Sequence, residues 1–137
     1  MTGRRESAAA TAPASTRDAP ARNDAPRPTW EVVQLGAMTE LLDRDARRGH
    51  EPRAARSLFQ TSALGAVLTS VRAGGTVHNE QPDEAATIQG IRGECLISVD
   101  GMGGVIEPGT LIAIPAGIHW RVVARTDAVI LLTVATS

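Results

Sequence analysis

At 137 residues, with 14 basic and 15 acidic side chains and a formal charge of −1, the chain is long enough for one ordinary domain and too short for two. Every basic residue is Arg; five (Arg4, Arg5, Arg17, Arg22, Arg27) precede Trp30, and the rest of the chain sets nine Arg against 12 acids, a balance of −3. That balance gives a folded body no electrostatic attraction for nucleic acid or an anionic membrane, so neither is expected as a partner.

Residues 1–29 read as a disordered tail. From Thr2 to Thr29 no aliphatic side chain is larger than Ala, and Pro13, Pro20, Pro26 and Pro28 interrupt any helix. Such a stretch buries too little apolar surface to offset its ordering entropy. Arg4-Arg5 is not followed by an apolar h-region, and Glu6, Asp18 and Asp24 dilute its charge, which argues against a leader peptide. A cytoplasmic protein is expected. Residues 30–137 form the single domain.

Trp30 to Leu35 looks like a first strand. A short helix follows, with Thr39 as cap, Glu40 in the first turn, Leu41, Leu42 and Ala46 on one apolar side, and Arg47-Arg48-Gly49 at its end. After Arg56 the chain favours strands: Ser57–Gln60, Ala66–Arg72, Ala86–Ile91, Glu94–Val99, Thr110–Ile114, Trp120–Ala124 and Ala128–Thr136. Gly74-Gly75, Gln81-Pro82-Asp83, Arg92-Gly93, Asp100-Gly101, Pro115-Ala116-Gly117 and Thr126-Asp127 separate them as turns, with Asp100-Gly101 the strongest hairpin signal. Short strands at this spacing predict an all-β sandwich or barrel. Cys95 is the single cysteine and lies within a strand pattern, where a buried inert thiol is expected.

His78 and His119 are the histidines in strand context; His50 reads as a surface loop residue. Residues 78 and 80 are two apart, so on a strand they share a face. His78 and Glu80 could then meet His119 from a facing strand, with Glu84 reaching in from the next turn. Two imidazoles with carboxylates suit a divalent ion such as iron, zinc or manganese. The bland alternative is an exposed loop histidine beside a solvated acidic turn. Trp120, next to His119, should point to the opposite face and serve as core or interface. Gln89 and Arg92 either line a pocket or face solvent.

These residues resemble the cupin family of jelly-roll (double-stranded β-helix) barrels. Gly109, five residues, and Pro115-Ala116-Gly117 match the start of the family's second motif, with His119 one residue early and Val123 at the place of its Asn. In the first motif His78 matches the leading His, Glu80 replaces the second, Glu84 falls at the motif Glu, and Ile91 stands at the closing Gly. Gly93-Glu94 is similar to the corner joining the two central strands. The resemblance covers about residues 57–136 and is closest to short single-domain bacterial cupins. It implies a barrel holding a small-molecule ligand, with His78, Glu80, Glu84 and His119 as ligands should it hold a divalent metal (Fe, Mn, Zn or Ni). It also implies a homodimer joined through N-terminal strands. The reading favours ligand binding or sensing; the alternative is a metal-dependent oxygenase, isomerase or lyase.

Overall fold

The computed structural model describes residues 30–49, 52–79 and 83–136. The tail expected over 1–29, the loop residue His50 and the candidate ligand Glu80 lie outside the described residues. The chain divides into Met1–Glu31 and Val32–Ser137, and the second unit holds every helix and strand that follows.

The strand expected over Trp30–Leu35 is not formed. Trp30 to Gln34 has no regular structure, and Leu35 opens a 14-residue helix, α1 (Leu35–Arg48), four residues ahead of the predicted cap. Met38 and Leu42, four apart, share one helical face, and burying that face outweighs the strand preference of Val32-Val33. Thr39 is therefore inside the helix, buried, with its hydroxyl donating to the Leu35 carbonyl at 2.8 Å. The C-terminal end is as expected, at Gly49. There the Arg72 guanidinium donates to the carbonyls of Ala46 at 2.6 Å and Gly49 at 3.0 Å, placing a cation where the helix dipole is negative.

Among the described residues nine strands follow: β1 (Arg53–Gln60), β2 (Leu64–Val71), β3 (Thr76–His78), β4 (Ala86–Arg92), β5 (Cys95–Val99), β6 (Met102–Ile106), β7 (Leu111–Ile114), β8 (Trp120–Ala124) and β9 (Ala128–Ala135). They form two antiparallel sheets, ordered β1-β2-β9-β4-β7 and β3-β8-β5-β6. The all-β expectation holds. The Asp100-Gly101 hairpin also forms as expected, with φ of 51° and 83° at the two residues and Val99 paired to Met102. This is the left-handed pair of angles that a two-residue turn with the right twist requires. Strand β6 had no prediction, because Met102-Gly103-Gly104 lacks the branched residues that mark strands.

Alternation along the strands separates an inside from an outside. Ile88, Ile97, Ile106, Ile114, Val122 and Ile130 fill the space between the sheets. On the other face of the first sheet, Leu68 and Val129 pack against Leu42, with Met38, Leu58 and Leu131 around them. The helix thus covers the back of one sheet and leaves the interior to the strands. Arg92 leaves the barrel too: it pairs with Asp43 and, at 3.8 Å, with Glu40 of the helix.

Candidate functional site

The interior is not filled along its whole length. A cavity of about 360 Å³ opens between the two sheets, walled by β1, β2, β9 and the start of β4 on one side and by β3 and β8 on the other. Its apolar floor is Val67, Val77, Ala86, Trp120, Leu132 and Val134. Arg53, Gln60, Thr69, His78, Asn79, Glu84 and Thr136 add polar groups. The strand period explains this lining. Gly65, Val67 and Thr69 on β2 alternate with Ala66, Leu68 and Ser70, and the second set turns to the helix side. Opposite residues of an antiparallel pair project to the same side, so Ala55 across from Thr69 faces inward as well. A register shift between Ser57 and Phe59 then returns Gln60 to the cavity side, across from Gly65.

The candidate ligands are distributed unevenly around this space. His78 and Glu84 line the cavity; His78 is exposed, at the end of β3, and Glu84 is half-buried just before β4. His119 is exposed and is not among the lining residues. The cause is parity. Trp120 is 4% exposed and takes the inward position at the start of β8, which turns its neighbour to the outside. His119 is therefore off the lining, while His78, beside buried Val77 and across from exposed Arg121, shares the outward phase and touches the cavity only at the exposed end of β3. Among the described residues, no group of three or more His, Cys, Asp and Glu side chains comes together as a metal would require. Among the described residues, His78 and Glu84 are the two imidazole or carboxylate donors at the cavity, where zinc and non-haem iron sites use at least three protein ligands; Glu80 lies outside the described residues.

Asn79 was not singled out in the sequence, and it organises the rim. Its side-chain amide donates to the Ile118 carbonyl at 3.1 Å and accepts from the Trp120 amide at 3.3 Å. One short side chain thus continues the β3–β8 pairing for another residue and clamps the segment that carries Trp120. Cys95 is buried on the interior side of β5, away from the cavity lining. Desolvation, helped by the adjacent Glu94 carboxylate, pushes its thiol above the ordinary value, so it is a poor nucleophile.

No protein-family model and no curated protein matches the sequence. Solved structures do. TT1209 from Thermus thermophilus has a TM-score of 0.61 at 22% identity, over 69% of this chain and 93% of that one. An RmlC-like cupin from Shewanella frigidimarina has a TM-score of 0.58 at 18% identity, over 63% of this chain and 78% of that one. A salicylate 1,2-dioxygenase from Pseudaminobacter salicylatoxidans has a TM-score of 0.58 at 18% identity, over 73% of this chain and 32% of that one. The fold is the cupin jelly roll. At these identities the likeness concerns the fold, and the neighbours include enzymes as well as proteins with no stated activity. Among the described residues, no helix is long and apolar enough to cross a membrane.

Proposed function

We propose that this chain is a small-molecule-binding barrel, acting in ligand binding or sensing and not in catalysis. The observation that supports it is the cavity: about 360 Å³, apolar in its walls, with a few polar groups at its margins. That combination of size and lining is typical of sites for compact organic ligands. The test is to fill the space. Leu132→Trp adds bulk at a half-buried lining position. It should abolish binding of any small molecule found by thermal-shift screening of the wild type, while the circular dichroism spectrum is unchanged. Binding that survives the substitution would place the ligand elsewhere.

The metal-dependent alternative rests on His78 and Glu84 sharing the cavity, with Glu80 outside the described residues. Elemental analysis of untagged protein separates the readings: stoichiometric metal that is lost in His78→Ala would favour the enzyme class. A homodimer is also part of the proposal. Its basis shifts from the N-terminal strand, which is not formed, to the outer face of the second sheet, where Leu96 and Val105 are 41% and 46% exposed. Light scattering at micromolar concentration should give twice the chain mass, and a monomer would reject it.

A further inference from the structure

We propose that the ligand of this cavity is a small carboxylate with a compact apolar body, and that Arg53 holds its acid group. The inference rests on the barrel-binding reading above and adds the chemical class of the ligand. Arg53 pairs across from Val71, an interior residue, so its side chain leaves β1 on the cavity side, and it is among the residues lining the cavity. The other arginines of that sheet are engaged with the helix, Arg56 with Asp45 at 3.5 Å and Arg92 with Asp43 and Glu40. Among the described residues, no carboxylate pairs with Arg53. An exposed guanidinium on the lining of a concave, largely apolar site, with no ion-pair partner among the described residues, matches a planar carboxylate, which it can take through two parallel hydrogen bonds.

Glu84 is the one carboxylate of the lining among the described residues, and it enters from a different part of the sheet than Arg53. Following the ladder, Arg53 lies level with Val71 and Ala128, whereas Ala86, just after Glu84, lies level with Val134. The six residue steps of β9 between those levels amount to roughly 20 Å along the strand, so the two side chains start from backbone positions well apart along the sheet. Val67 and Leu132 pair between those levels, which leaves an apolar stretch of the lining for the body of the ligand.

Benzoate and its neutral isostere benzamide are the probes, with affinities read by calorimetry on the full chain. Wild type should prefer benzoate. Arg53→Gln should weaken benzoate by about ten- to hundredfold, the loss expected for a hydrogen-bonded charge pair, and leave benzamide unchanged. Arg53→Lys should retain part of the preference. Failure of the wild type to bind benzoate, or insensitivity of benzoate binding to Arg53→Gln, would overturn the inference. If Leu132→Trp still abolished benzamide binding in that case, the barrel reading would stand and only the carboxylate would fall. Benzamide binding that survived Leu132→Trp would reject the cavity itself.

Discussion

Replacing Gly90 with Ala should destabilise the protein by about 3–5 kcal/mol. Gly90 is buried in the middle of the first sheet on β4, and the segment from Ile106 to Thr110 crosses directly over it. A Cβ at this position would lie 2.3 Å from the Glu107 carbonyl oxygen and 2.9 Å from Ile106 Cγ2, where ordinary contact begins at 3.4 Å. The crossing segment would have to retreat by roughly 1 Å, the difference between the first and last of those distances. Two backbone hydrogen bonds hold it in place, from the Gly90 amide to the Thr110 carbonyl and from the Gly109 amide to the Gly90 carbonyl, both 2.9 Å. Moved by roughly 1 Å, both leave the hydrogen-bonding range, a loss of about 1 kcal/mol each, and overpacking adds about 1–3 kcal/mol. That sum is a large share of the roughly 5–15 kcal/mol that stabilises a typical domain. Urea unfolding followed by tryptophan fluorescence measures it. Gly36→Ala in α1 is the control: its Cβ meets nothing within 4 Å, and helical preference should make it neutral or stabilising by about 0.5 kcal/mol. A loss below about 1 kcal/mol for Gly90→Ala would show that the crossing segment yields freely, and the packing argument would be wrong.

Leu42→Ala should cost about 2–5 kcal/mol, because Leu42 is 1% exposed and is the main apolar anchor of α1 on Leu68 and Val129. Hydrogen exchange should then show α1 opening ahead of the sheets. Asn79→Leu should weaken ligand binding and shift the Trp120 emission, since the amide that clamps residues 118–120 is lost, while Asn79→Asp should retain less of the clamp than the native amide because a carboxylate cannot donate to Ile118. Cys95 should resist iodoacetamide in the folded state at about pH 8, near the ordinary thiol pKa, and react on unfolding. Its raised folded value also fixes a sign: the stabilisation is fully present below the ordinary thiol pKa of about 8.5 and is lost as pH rises through the folded value. Cys95→Ala should flatten that alkaline decline, and an unchanged pH–stability profile would refute the assignment.

Strand existence was legible in the residues because it depends on local rules. Short runs rich in Val, Ile and Leu such as Ala128 to Ala135 and turn pairs such as Asp100-Gly101 act over a few residues, and both took their expected form. The places where local reading failed are those where a distant surface decides. Trp30 to Leu35 carries strand-forming side chains, yet Leu35 joins a helix because the outer faces of β2 and β9 offer Met38 and Leu42 a place to pack. Met102 to Ile106 carries glycines, yet it is a strand because β5 supplies its hydrogen-bonding partners.

The same division runs through the site. Residue spacing marked His78, Glu80, Glu84 and His119, and of these His78 and Glu84 are among the residues lining the cavity. Which of two neighbours faces inward depends on the phase of the strand, and a one-residue difference in phase exchanges the faces. Trp120 won the inward position because burying its large apolar ring in the interior is worth more than burying an imidazole, and His119 followed to the outside. Arg53, Gln60 and Asn79 were beyond local inference for a further reason. Their roles come from cross-strand register and from one β-bulge, and register is decided only when the sheets assemble.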